Sequence, residues 1–233
     1  MSIALITGGN KGIGKATAAR LAELGHTVYV GARDAERGQS AAKEIGAQWL
    51  ALDVTDDSSA AAAAAGLTDR EGHLDILVNN AGITGGWATL DNLSGDGMRA
   101  AYEVNVFGIV RVTQAFLPLL RVSPAPVIVN VSSLLGSFGA VTNPYGRQYE
   151  VFAPIYGSSK SAVNMLTVQY AKALPQMRVN AVEPGYTATD LTGAPGDQAQ
   201  TPEQAAANVV RWATIGPDGP TGIFGFKETT APW

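Results

Sequence analysis

The sequence predicts a doubly wound α/β fold, one mostly parallel, seven-stranded sheet with helices on both faces. Three observations predict it. Short runs rich in Val, Ile and Leu recur between longer helical patterns, and a continuous apolar run marks a strand buried on both faces. Strand and helix alternate, which gives right-handed crossovers and a parallel sheet. With 46% hydrophobic and 15% charged residues in 233, the chain has enough apolar surface for a core on each face and too much for disorder.

The strands expected in order are 3–6, 27–32, 48–52, 76–78, 127–131, 179–182 and 223–226. Helical patterns fall between them near 14–24, 36–45, 57–70, 97–120, 155–174 and 202–213. The run Ala60 to Ala65 resembles low complexity, yet Asp56, Asp57 and Ser58 ahead of it supply helix-start chemistry, so it reads as an Ala-rich helix. Asp34 before Ala35-Glu36 suits the N-cap of the second helix. No Pro/Gly/Ser-rich linker divides residues 1–233, so the reading is a single domain without internal repeats.

Composition excludes several classes. A net charge of −4 and no cluster of Lys or Arg argue against nucleic acid as a partner. Without Cys there is neither a disulfide framework nor a thiolate metal site, and His26 and His73 lack ligand spacing, so no metal is expected. No uncharged run reaches membrane-spanning length and Ile3 to Ile6 is too short for a signal core, which points to the cytoplasm and away from a membrane.

In doubly wound sheets ligands sit at the carboxyl ends of the strands, where strand order reverses. The polar and glycine-rich residues of this chain gather there. They are Thr7 to Gly14 after the first strand, Arg33 after the second, Asp53 after the third, Asn79-Asn80-Ala81-Gly82 after the fourth, Ser132-Ser133 after the fifth and Pro184-Gly185 after the sixth. The first segment, Thr7-Gly8-Gly9-Asn10-Lys11-Gly12-Ile13-Gly14, runs from a strand into a helix. Glycines at 8, 12 and 14 allow close backbone approach to a phosphate, and the free N–H groups of a helix start attract anions. A nucleotide cofactor follows as the leading expectation.

Tyr156 and Lys160 stand four residues apart on one expected helix and so share a face. A phenol holds its proton to about pH 10, and a nearby positive charge favours the phenolate, which would bring Tyr156 into range as a general acid or base.

Taken in order, Thr7-x-x-x-Gly12-Ile13-Gly14, Asn79-Asn80-Ala81-Gly82, the serine-bearing strand end, Tyr156-x-x-x-Lys160 and Pro184-Gly185 resemble the short-chain dehydrogenase/reductase family over nearly the whole chain. Gly9 to Gly14 with Gly31-Ala32-Arg33-Asp34 is similar to its NADPH-dependent carbonyl reductase branch. The resemblance implies a Rossmann-like fold and a set of roles. Tyr156 would protonate a substrate carbonyl, Lys160 would hold the nicotinamide ribose hydroxyls, and Ser133, ahead of Leu134-Leu135-Gly136, would donate to the developing oxyanion. Ser132 is the runner-up for that place. Asn105 would belong to a water-linked proton relay with the lysine, the alternative being a satisfied core asparagine. Asn79 would tie neighbouring strands, Asn80, Ala81 and Gly82 would lie along the cofactor, Asp53-Val54 would meet the adenine, and Thr187 or Thr189 the carboxamide.

A basic residue at the end of the second strand accommodates the 2′-phosphate of NADP, so Arg33 together with Lys11 favours NADP(H) over NAD. On the substrate side, Tyr156 lies 23 positions after Ser133, more than in the commonest family members. The extra stretch 139–152 carries Tyr145, Arg147, Tyr149 and Phe152, and by resemblance to carbonyl reductases it bears on whether the chain is a monomer or a homo-oligomer. The segment 186–200 has the composition of a mobile cover. It is expected to line a pocket for small apolar or aromatic carbonyls or alcohols with Trp87, Leu134, Phe138, Tyr186 and Tyr149, while Trp233 either folds back on that pocket or stays exposed. The leading reading is an NADPH-dependent oxidoreductase interconverting a ketone or aldehyde and an alcohol. The alternative is an NADP-sensing regulatory protein without catalysis.

Overall fold

The computed structural model describes residues 1–193 and 197–233. Eight strands form one sheet in the order β3-β2-β1-β4-β5-β6-β7-β8: β1 Ile3–Thr7, β2 Thr27–Ala32, β3 Gln48–Ala51, β4 Ile76–Asn79, β5 Val127–Val131, β6 Arg178–Val182, β7 Phe224–Phe226 and β8 Thr229–Thr230. The first seven are parallel, as expected, and β8 adds an antiparallel edge. That last strand is two exposed threonines reached through a turn at Lys227 (φ 50°), with no apolar run to announce it.

Strand β1 is buried at every position, and its side chains alternate between two cores. Ile3 and Leu5 join Tyr29, Leu67, Phe116 and Ile128 on one face; Ala4 and Ile6 join Leu21, Val30, Val129 and Val209 on the other. Helices α1 (Gly12–Glu23), α2 (Ala35–Glu44) and α8 (Pro202–Ala213) cover the second face. Helices α3 (Asp57–Glu71), α5 (Gly108–Val122) and α7 (Pro154–Ala173) cover the first. The Ala-rich run is α3, whose N-cap Asp56 accepts from Ser58 N and Ser59 N and whose last turn stops at Gly72 in the left-handed region. Asp34 caps α2 by accepting from Arg37 N at 3.0 Å.

The single helix expected over 97–120 is three pieces: α4 (Gly95–Tyr102), a π-helical turn at Glu103–Phe107, and α5. The stretch Gly95–Val122 is long and apolar enough to cross a membrane, but 56% of its apolar window is buried inside this fold, including Val112, Phe116 and Leu120 in the core. Between Ser133 and Tyr156 the extra residues form a short 3-10 turn (Leu134–Gly136), helix α6 (Phe138–Val141) and a second 3-10 turn (Arg147–Glu150). The chain builds outward through β2 and β3 on one side of β1 and through β4 to β7 on the other, so strand order reverses between β1 and β4, which opens the crevice at their carboxyl ends.

Candidate active site

The glycine turn bridges β1 and α1. Gly8 (φ 63°) and Gly12 (φ 53°) occupy the left-handed region that other residues rarely adopt. A side chain on Gly14 would stand 2.6 Å from the Gly8 carbonyl oxygen, so only glycine closes the turn. Thr7 Oγ1 accepts from the backbone N–H groups of Asn80 and Ala81, both at 3.0 Å, and Asn80 Nδ2 donates to Thr7 O at 2.9 Å. The side chain of Asn80 therefore braces the turn, while Asn80, Ala81 and Gly82 border the crevice. Helix α1 begins with no side-chain cap, and its residues Gly12, Ile13 and Gly14, with Gly8 and Asn10, line the same space.

Arg33 lies exposed on the crevice wall at the end of β2. Lys11 was expected to converge on the same phosphate place; instead its ammonium pairs with Asp190 of the 186–200 segment at 2.8 Å. Both partners are largely exposed, so solvent screens the pair and it exchanges readily. Asp53 Oδ1 accepts from Thr55 N at 2.9 Å, and Val54 O accepts from Arg111; both residues border the crevice.

The catalytic candidates meet where β5, β6 and α7 come together. Lys160 is buried, donates from Nζ to Val131 O at 2.7 Å, and sits 5.5 Å from the centre of the Tyr156 ring. Ser133 and Tyr156 both line the crevice, and the Ser133 hydroxyl accepts from Leu135 N at 3.2 Å. Ser132 also borders the crevice, but it is buried and its hydroxyl donates to Asn164 Oδ1 at 2.6 Å, a strand-end role. Asn79 ties β4 to β5 by donating to Asn130 Oδ1 at 2.9 Å. Asn105, on the π-helical turn, has its amide fully engaged: Nδ2 donates to Ile83 O and Ser159 Oγ, and Oδ1 accepts from Ile83 N.

One electrostatic expectation is reversed. Tyr156 is pushed up from the ordinary phenol value, first by burial and then by the negative charge of Glu183, with the Ser133 hydroxyl acting in the other direction. The Lys160 ammonium lies over the ring and is itself lowered to about 8 by burial, with Glu183 pulling back up. A phenol raised in this way keeps its proton at neutral pH.

Glu183, immediately before Pro184-Gly185, is a site residue that the sequence reading passed over. It is buried on the crevice wall, with Oε1 accepting from Gly185 N at 2.7 Å and Oε2 from Leu134 N. The signal was there: an acid placed in an apolar strand end is costly unless it is paired. Gly136, which follows the serine in the sequence motif, also has a packing role: a Cβ there would clash with the Lys160 backbone, so this glycine lets the serine loop lie against α7.

The crevice is a cavity of about 1020 Å³. On its substrate side Trp87, Leu134 and Tyr186 line it as expected, but Phe138, 72% exposed, and Tyr149 do not. Arg147, Gln148 and Val151 of the extra stretch line it in their place. Trp233 stacks on Phe224 with ring centres 5.6 Å apart, away from the pocket. Of the threonines, Thr187 is buried and donates to Gly185 O at 2.8 Å, whereas Thr189 directs its methyl at Gly12. Pro195 and Gly196 of the expected cover lie outside the described residues. Among the described residues no cluster of acids and histidines could hold a metal.

A family model described as short chain dehydrogenase matches residues 2–200. The chain belongs to the short-chain dehydrogenase family. The short-chain dehydrogenase anuI of Penicillium roqueforti is 38% identical over 96% of this chain and 92% of its own length. Salutaridine reductase of Papaver bracteatum is 30% identical over 96% of this chain and 94% of its own. Among solved structures, the NADPH-bound carbonyl reductase from chicken fatty liver superposes with a TM-score of 0.87 at 29% identity, covering 100% of this chain and 99% of that one. This short-chain dehydrogenase is thus an oxidoreductase of the Rossmann-like type, with its sequence motifs gathered on one sheet edge.

Proposed function

We propose that this short-chain dehydrogenase is an NADPH-dependent carbonyl reductase of the cytoplasm, acting on small apolar or aromatic ketones and aldehydes with Tyr156 as the acid. The observation that carries this reading is the convergence of Tyr156, Ser133 and Lys160 on the wall of the cavity that the glycine turn opens into. The residues present fit the dinucleotide. Gly8 and Gly12 hold backbone conformations that clear the place of a pyrophosphate, and α1 presents uncapped N–H groups beside it. Arg33 would take the 2′-phosphate, and Lys11 could leave the exposed Asp190 to join it. A bound reduced nicotinamide supplies the hydride.

The chain's own groups handle the proton. Tyr156, held protonated by its surroundings, donates to the carbonyl oxygen, while the Ser133 hydroxyl stabilises negative charge as it develops there. Lys160 has three donors and gives one to Val131 O, which leaves two for the ribose hydroxyls. Asn105 acts by position: its amide fixes Ile83 against Ser159, beside the loop that borders the cofactor place. The exposed aromatic and aliphatic wall of Trp87, Val151 and Tyr186 suits an apolar substrate.

A screen of ketones and aldehydes that follows loss of NADPH absorbance tests this function. Turnover with NADPH well above that with NADH supports it. A chain that binds NADP but turns over no carbonyl is instead a nucleotide sensor, and a clear NADH preference overturns the cofactor assignment.

A further inference from the structure

Arg111 is a largely buried cation that neither the proton step nor the phosphate place uses. Its side chain is 14% exposed in the first turn of α5, and its guanidinium serves three acceptors: Nε donates to Asp57 Oδ1 at 2.8 Å, Nη1 to Val54 O at 2.6 Å and Nη2 to Glu103 Oε1 at 2.9 Å. Two carboxylates offset its charge, so what remains is a firmly oriented donor on the Val54 carbonyl. Val54 is gripped from a second direction. A Cβ on Gly108 would stand 3.1 Å from Val54 Cγ2 and 3.2 Å from its carbonyl oxygen, so the start of α5 lies directly against this residue. Val54 borders the crevice, and the sheet fixes where: Leu52 N donates to Ala32 O at 3.2 Å, which brings the end of β3 beside Arg33 at the end of β2. Both strands lie across β1 from β5 and β6, whose following turns carry Ser133 and Glu183. Val54 therefore belongs to the adenosine end of the crevice.

We propose that Arg111 is a positioning residue for the adenosine half of NADP(H): from behind the crevice wall it holds the Val54 main chain in place and so sets affinity at that end of the cofactor. The inference rests on the reading above, in which the dinucleotide lies along the crevice with its 2′-phosphate at Arg33. An arginine suits the task because its planar fork serves several acceptors in fixed directions, which the point charge of a lysine does not. Removing the fork leaves a carbonyl without its donor. Val54 then loses its fixed position, and ordering it again on binding subtracts from affinity. The groups that handle the proton are spared. Glu103 opens the π-helical turn, yet Asn105 is tied to Ile83 and Ser159, and Lys160 to Val131 O, none of them through Arg111.

The test measures, by calorimetry, how adenosine 2′,5′-bisphosphate and NADPH bind to the wild type, Arg111→Met and Arg111→Lys. The bisphosphate carries the adenine and the 2′-phosphate without the nicotinamide. Arg111→Met should weaken both ligands about tenfold, the equivalent of about one hydrogen bond. Turnover at saturating NADPH should fall no more than about twofold, so the change appears in the KM for cofactor rather than in kcat. Arg111→Lys, which keeps the charge and loses the fork, should also weaken the bisphosphate several-fold. Wild-type affinity in Arg111→Met would overturn the proposal, and so would full recovery in Arg111→Lys, because charge alone would then suffice. A loss of turnover as large as the loss of affinity would overturn it too, as the mark of general damage. Should the Arg111 variants not fold, Gly108→Ala decides without any change of charge. Its methyl presses on Val54, so bisphosphate binding weakened a few-fold supports the proposal and unchanged binding sinks it. A wild type that binds neither ligand overturns the cofactor reading itself. One that binds both but turns over no carbonyl loses only the reductase reading, and the bisphosphate comparison still decides on Arg111.

Discussion

The two halves of the crevice are built differently. On the cofactor side backbone meets backbone: glycines at 8, 12 and 14 close the turn, and Thr7 and Asn80 lock it to the neighbouring strand through three hydrogen bonds. On the substrate side the wall consists of exposed side chains, with Trp87 57% and Tyr186 52% accessible. Where geometry is fixed by the main chain, a substitution acts through strain. Where it is fixed by apolar side chains, the same size of change acts only through contact area. The firm half holds the part of the reaction common to every substrate, and the open half is free to differ.

The contrast can be broken or sharpened by substitution. The largest of these effects is expected from Lys160→Met, which should lower turnover on the order of 10²-fold and weaken cofactor binding, since a misplaced cofactor costs about that much. The same variant carries a stability signature. Lys160 falls to about 8 in the folded protein from the ordinary 10.5, so between those values the unfolded chain binds a proton that the folded one has released. Stability of the cofactor-free protein should therefore gain a rising contribution across that window, and Lys160→Met should remove it in denaturant titrations at a series of pH values.

Arg33→Asp comes next. It should cost about 10–100-fold in NADPH affinity, corresponding to roughly 1.5–3 kcal/mol for a charge-assisted bond, and move preference toward NADH in a binding titration. Gly14→Ala should destabilise by about 1–3 kcal/mol in thermal unfolding, because the new methyl meets Gly8 O at 2.6 Å and the Asn80 amide. Trp87→Ala should change stability by no more than about 0.5 kcal/mol and raise KM for bulky carbonyls a few-fold. A Trp87 variant as unstable as Gly14→Ala would erase the distinction between the halves.

Periodicity and breakers made seven strands and the doubly wound order legible, because parallel strands must be apolar throughout. The pair Thr229–Thr230 escaped because two exposed threonines carry no pattern. The π-helical turn within 95–122 escaped for a similar reason: it depends on Asn105 bonding to Ile83, a contact between residues 22 apart that no local propensity encodes. At the site, the glycines, Tyr156 and Lys160 were readable from type and spacing. The upward shift of Tyr156 was not, since burial and the place of Glu183 are set by tertiary packing. Likewise the choice of Arg147, Gln148 and Val151 over Phe138 and Tyr149 as wall residues follows from how the 3-10 turn at Arg147–Glu150 faces the cavity.

The central claim is that the Tyr156 phenol, beside Ser133 and Lys160, supplies the proton to a carbonyl. Its most direct test is Tyr156→Phe, assayed for NADPH binding and for carbonyl turnover in parallel. The account predicts unchanged binding with turnover lowered about 10²–10⁴-fold. Turnover equal to that of the wild type would contradict it.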